Sequence, residues 1–259
     1  MWKAFGASRQ GSSHVGSGTP CQDCHGFKVI AGTGIIATVA DGLGSALHAD
    51  RGAQLAVDGA LTYVANVLAA GAPADEASWI QLLKETVQHC RRNLFEYAGQ
   101  ESLPPGNFGT TLIVVIMTET HLALAHIGDG AVVSREDDGA LQVLSGGVRG
   151  EYANETVPIT AFDALERGVF GCFPAPQSIA LMTDGLQKLA MNLETLTPFR
   201  PFYVPYWKAL DSGEASTVLS AQLAEYLDSE RFNQVNGTDD DKTILLVGRS
   251  RGTGSKEPA

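Results

Sequence analysis

The sequence predicts an α+β domain: antiparallel sheet layered with helices on its outer faces. Strand-like runs, a helix pair, more strand-like runs, further helices and a closing strand follow one another, without the strand–helix alternation of a parallel sheet. The central apolar runs are joined by short connections, which suggests an antiparallel meander. No internal repeat or linker divides the 259 residues, so residues 1–248 read as one domain.

Trp2–Ser8 reads as a strand and is followed by a polar Gly/Ser segment up to Asp23. Phe27–Ala31 and Ile35–Ala40 are apolar, β-branched runs joined by Gly32-Thr33-Gly34, the pattern of a hairpin. Two helices come next. Ala53, Ala56, Ala60, Tyr63, Val64 and Val67 recur at helical spacing, as do Trp79, Leu82, Leu83, Thr86, Val87, Cys90 and Leu94. The Pro/Gly break at Leu103–Gly106 ends this section. Leu112–Met117, Leu122–Ile127, Ala131–Ser134 and Leu141–Leu144 form the expected meander. Residues 146–176 are Gly-rich and irregular; Ser178–Thr183 is another strand. Helical patterns cover Leu186–Leu193, Tyr203–Leu210 and Ala215–Leu227, Thr243–Val247 closes the sheet, and 249–259 reads as a flexible tail.

Hydrophobic content of 44% against 18% charged residues describes an ordinary globular chain with ample core. A net charge of −11 and a pI near 4.9 argue against nucleic acid or anionic membrane as partner. By inspection no apolar stretch reaches membrane-spanning length, and the first residues lack the apolar core of a signal peptide. The expected location is cytoplasmic, and there the four cysteines are expected to be free thiols.

Three aspartates carry most of the functional signal, each closing an apolar run and each followed by glycine: Asp41 in ATVADG, Asp129 in ALAHIGDG and Asp184 in IALMTDG. A fourth acidic cluster, Asp239-Asp240-Asp241, leads into the last strand. Asp-Gly is also a common turn dipeptide, and Asp138-Gly139, between two apolar runs, is read as such a turn. After Asp41 and Asp184 the chain enters helical patterns instead of turning back, whereas Asp129 fits a tight turn equally well. Carboxylates at four strand ends with no basic neighbour would repel one another if they converged. A divalent cation between them relieves that repulsion, because hard ions such as Mg²⁺ and Mn²⁺ take oxygen ligands.

Other motifs fail on context. Cys21-x-x-Cys24-His25 matches covalent haem attachment, which normally requires export. A zinc site would need a second ligand pair, and Cys90 and Cys172 are isolated. Gly32-x-Gly34-x-x-Ala37 is followed by a strand-like run, not by the helix a dinucleotide fingerprint needs.

The ordered set Asp41-Gly42, Gly109-Thr110-Thr111, Gly128-Asp129-Gly130, Thr183-Asp184-Gly185 and Asp240-Asp241-x-Thr243 resembles the metal-dependent protein phosphatases of the 2C type, the PPM family. The resemblance runs from about residue 6 to residue 248. Ser13-His14, Gly18 to Asp23 and Gly150-Glu151-Tyr152-Ala153-Asn154 look like one bacterial branch, whose members often accompany a serine/threonine kinase and a von Willebrand A-type protein. It implies a four-layer α-β-β-α sandwich with two central antiparallel sheets, and two Mn²⁺ or Mg²⁺ ions with a third at a weaker site. By position Asp41 bridges two ions, the Gly42 carbonyl binds the second, and Asp184 and Asp240 complete the first. Asp129 joins Asp184 at the third, and Asp23 holds metal-bound water. Residues 146–176 fall where bacterial relatives carry a flap. Two positions depart from the family: Gln22 stands where a glutamate is usual, and Gly18 where a phosphate-binding arginine is expected.

The activity implied is hydrolysis of phosphoserine and phosphothreonine in proteins, by a hydroxide shared between two cations attacking phosphorus in line. Arg9, His14 or Arg51 is expected to supply the missing positive charge for the phosphate, and His14 or His48 to protonate the leaving oxygen. The alternatives are a catalytically inactive relative that binds phosphoproteins as a scaffold, which Gln22 and Gly18 motivate, and a regulator acting on an anti-sigma antagonist.

Overall fold

A computed structural model describes residues 1–146 and 156–249. Residues 147–155, which include the whole Gly150–Asn154 motif, and the tail from residue 250 lie outside the described residues. The strands are β1 (Trp2–Arg9), β2 (Asp23–Ile30), β3 (Gly34–Asp41), β4 (Leu112–Thr118), β5 (His121–Ile127), β6 (Ala131–Arg135), β7 (Leu141–Gly146), β8 (Val169–Pro174), β9 (Ser178–Met182), the short β10 (Met191–Asn192) and β11 (Thr197–Pro198), and β12 (Lys242–Arg249). The helices are α1 (Ser12–Ser17), α2 (Ala49–Ala70), α3 (Glu76–Gln100), α4 (Ala164–Arg167), α5 (Gln187–Ala190), α6 (Arg200–Asp211), α7 (Ser216–Asp228) and α8 (Glu230–Asn236).

Two five-stranded antiparallel sheets stack face to face, in the orders β1-β12-β9-β6-β7 and β2-β3-β4-β5-β8. Side chains alternate across each strand, so every central strand feeds two apolar layers. In β12, Leu245 and Val247 face the other sheet, among Ala4, Ile35, Val39, Val115, Leu124 and Leu181. Its Ile244 and Leu246 face outward with Phe5, Tyr203, Trp207 and Leu223 of the α6–α7 layer. On the opposite side Ile36, Val114, Ile116 and Ala123 pack beneath α2 and α3. The result is the expected α-β-β-α sandwich.

The meander is where the structure departs from expectation. β4 and β5 pair as foreseen, but β6 leaves for the other sheet and pairs with β7 and β9. Gly128-Asp129-Gly130 therefore crosses between sheets, with Gly128 at φ 116, and is not a hairpin turn. Both faces of each sheet are apolar, so the alternation pattern cannot say to which sheet a strand belongs. Strand β8 lies inside the stretch read as irregular, and pairs with β5. The 186–193 helix shrinks to α5 and runs into β10. Helix α1, within the Gly/Ser segment, buries none of its residues and so leaves no periodic signal.

Among the described residues α2 is long and apolar enough, by length and composition, to cross a membrane, which inspection of the sequence had not found. Its Ala53, Ala56, Ala60 and Val64 stripe packs against the sheet and α3. Leu245→Ala, in the layer shared by both sheets, is expected to cost about 2–5 kcal/mol. Urea denaturation with an unchanged slope reads this out. A loss below about 1 kcal/mol, within the range of a surface change, would show that this layer is not the common core.

Candidate metal centre

Strand direction brings the acidic residues together. The C-terminal ends of β3, β5 and β9 and the entry to β12 meet at one end of the sandwich. In β3, Ile35, Ala37 and Val39 face the space between the sheets, so Asp41, next in the alternation, opens onto the same space at its rim. Asp129 sits on the crossover from β5 to β6, and Asp184 opens a 3₁₀ turn directly after β9. Carboxylate oxygens of Asp41, Asp129 and Asp184 all lie within 4.8 Å of one another.

The backbone around this cluster is fixed by side chains named in the sequence motifs. Thr111 Oγ1 accepts the Asp41 N–H at 2.9 Å, the Thr111 N–H donates to the Asp41 carbonyl at 2.8 Å, and the Thr110 hydroxyl donates to that carbonyl at 2.9 Å. The Gly42 N–H donates to the Gln22 carbonyl at 3.1 Å. At Gly185 a Cβ would fall 1.9 Å from the Asp241 carbonyl oxygen, so only glycine lets the two chains approach. The glycines after Asp41, Asp129 and Asp184 have ordinary negative φ, whereas Gly139 of the expected Asp138-Gly139 turn sits at φ 81. The first three are glycines of close packing and the fourth is a glycine of turning.

Asp23 stands opposite Asp41 in the β2–β3 register. It is buried; its Oδ2 accepts the Thr183 hydroxyl at 2.8 Å, and its Oδ1 has no partner among the described residues. Burial pushes the Asp41 carboxyl well above the ordinary carboxylate range, and the charges of Asp23, Asp184, Asp129 and Asp240 push it further. Asp184 is raised to about 6 by burial and then by Asp129 and Asp240. Asp23 is raised too, chiefly by burial, against the pull of the Thr243 and Thr183 hydroxyls. Three half-buried, mutually repelling carboxylates beside buried Asp23, whose Oδ1 is unpaired among the described residues, are a donor set suited to a hard divalent cation. Gln22, the neighbour of Asp23 in the chain, is also buried, and its Oε1 has no partner among the described residues.

The remaining sequence candidates divide. Asp240 is close enough for its charge to act on Asp41 and Asp184, but it is exposed and outside the group of three. Asp241 turns the other way: its carboxylate accepts the Gly11 N–H at 2.7 Å and the Gln22 N–H at 2.5 Å, and lies 2.9 Å from His14 Nδ1. His48 stacks on Phe108. Arg9 is paired through Nε with Asp228 at 2.8 Å, and the exposed Arg51 lies 4.9 Å over the Tyr97 ring. Neither arginine makes an ion pair with the three aspartates. Two contacts had no signal in the sequence: the Thr156 hydroxyl donates to Asp129 Oδ2, and the Gln187 amide to the Asp129 carbonyl. Both reach Asp129 from segments that only the fold brings near.

The electrostatics predict a pH dependence for the metal-free protein. A carboxyl with a raised folded pKa favours the folded state most when protonated, so this contribution is present below the ordinary carboxylate pKa. It is lost as pH rises through about 6 for Asp184. In EDTA, denaturation midpoints are expected to fall more steeply between pH 4.5 and 7.5 for the wild-type protein than for Asp184→Asn. Equal slopes would contradict the assignment.

Residues 10–228 match the family described as Protein phosphatase 2C. The chain is 32% identical over 254 residues to Serine/threonine-protein phosphatase 3 of Escherichia coli (strain K12), covering 95% of this chain and 98% of that protein. It shares its fold with the S. agalactiae serine/threonine phosphatase, at 15% identity and a TM-score of 0.67 over 96% of this chain and 99% of that one. A further fold relative is the catalytic domain of the phosphatase PstP solved with two manganese ions, at 18% identity and a TM-score of 0.61 over 96% and 99% of the two chains. The aspartates gathered at the end of the sandwich are thus carried by a chain that belongs to the protein phosphatase 2C family.

Proposed function

We propose that this protein is a metal-dependent phosphatase that removes phosphate from phosphoserine and phosphothreonine in other proteins. The observation that carries the reading is the convergence of Asp41, Asp129 and Asp184 within 4.8 Å. The 32% identity to a serine/threonine-protein phosphatase supports the substrate class. Asp41, the Gly42 carbonyl, Asp184 and Asp240 would hold two Mn²⁺ or Mg²⁺ ions, with Asp129 and Asp184 at a third. When bound, such ions generate a nucleophile near neutral pH and offset charge on the phosphoryl oxygens.

The chain's own groups supply the rest. Asp23, anchored by the Thr183 hydroxyl, orients water at the rim between the sheets. His14, whose Nδ1 lies 2.9 Å from the Asp241 carboxylate, is assigned the return of a proton to the leaving serine or threonine oxygen. The incoming phosphate is assigned to Arg9, which must release Asp228 to reach it, or to Arg51 at the start of α2. The partner is a phosphorylated protein, and a cognate serine/threonine kinase or its von Willebrand A-type substrate fits this role. The presence of Asp41, Asp129, Asp184 and Asp240 together favours an enzyme over a scaffold, which has no use for clustered, mutually repelling charge.

Purified protein is expected to hydrolyse phosphoserine and phosphothreonine peptides with Mn²⁺, and EDTA to abolish turnover. Asp41→Asn and Asp184→Asn should each lose more than the roughly 100-fold that loss of an outer partner costs, with the fold intact by circular dichroism. Full activity in either variant, or undiminished activity in EDTA, would sink the reading.

A further inference from the structure

Asp129 is held by a segment that is itself tied to helix α3. The Gln187 amide donates to the Asp129 carbonyl and the Thr156 hydroxyl to its Oδ2, so backbone and carboxylate are each fixed. Three residues beyond Thr156, the Ile159 N–H donates at 2.8 Å to the carbonyl of Thr110. The Thr110 hydroxyl in turn donates to the Asp41 carbonyl. The Ile159 side chain is buried in the apolar layer under α2 and α3. From α3, Arg91 Nη1 donates at 3.3 Å to the Ile159 carbonyl and also donates to the Ala161 carbonyl.

Arg91 is half-buried, and its guanidinium lies 5.3 Å over the ring of Phe95, one turn further along α3. It has no carboxylate partner among the described residues, so the two carbonyls are what it binds. Nη1 carries two protons, one for each carbonyl, and a charged donor holds a carbonyl more strongly than a neutral one does. The segment turns at this point, with the Ala161 N–H donating to the Pro158 carbonyl at 3.0 Å. From Ile159 back to Thr156 the chain spans at most about 10 Å. Pro158 lies within that stretch and fixes one of its dihedrals. A displacement of Ile159 therefore has little slack in which to fade before it reaches the hydroxyl on Asp129.

We propose that Arg91 is a positioning residue for Asp129, acting through Ile159 and Thr156. This rests on the hydrolytic reading of the site. Groups that orient others at a metal site are worth about 10–100-fold in activity. Arg91→Met and Thr156→Val are therefore each expected to lower kcat about tenfold, and the double variant to lose no more than either alone. Independent effects would instead multiply to about a hundredfold. A second readout needs no turnover and no metal. The Ile159 amide, measured against the core amides of β4, is expected to exchange about tenfold faster in Arg91→Met. Arg91→Lys, which keeps a charged donor, should fall between wild type and Arg91→Met in both readouts. Multiplying losses, full kcat in Arg91→Met, or unchanged Ile159 exchange would overturn the proposal. An inactive wild-type protein would instead refute the hydrolytic reading, and Ile159 exchange would still decide whether Arg91 holds the segment.

Discussion

Mutual repulsion among carboxylates that the fold holds together is the constraint on which this structure turns. Asp41, Asp129 and Asp184 come from segments separated by more than fifty residues each, yet their oxygens share a space 4.8 Å across. In water such charges would part. Here the strand ends cannot separate without undoing the shared layer around Val39, Leu181 and Leu245. Burial raises the cost of keeping them ionised, and no lysine or arginine is paired with them among the described residues. A divalent cation would satisfy all three at once.

The surrounding residues serve the same end. Thr110 and Thr111 consume the backbone bonding of Asp41, which frees its side chain for the rim. Asp241, next to Asp240, faces away and ties the 11–22 loop to the entry of β12. Two adjacent aspartates thus do different work, one electrostatic and one structural. Gln22, beside Asp23 in the chain, carries no charge and so adds nothing to this repulsion.

Much of this was legible in the residues. The runs ending in Asp41 and Asp184 marked strand ends, and the order of strand-like and helical runs gave the layered fold, because burial on both faces makes strands conspicuous. What escaped was whatever depends on partners distant in sequence. Nothing in Ala131–Ser134 says that it joins β9 instead of β5, and Asp129 looked like a turn because a sheet crossover uses the same small residues. Val169–Pro174 was hidden by its glycine, cysteine and proline content. Thr156 and Gln187 became site residues only through the fold. Arg9 and Arg51 show the converse: a missing charge was legible at Gly18, but not which cation replaces it, since the structure engages both elsewhere.

Anomalous diffraction from crystals grown with Mn²⁺ addresses the central claim most directly. The account predicts manganese peaks bounded by Asp41, Asp129 and Asp184, with Asp41 contacting more than one ion. Well-ordered crystals with these three side chains splayed into solvent and no manganese between them would contradict it.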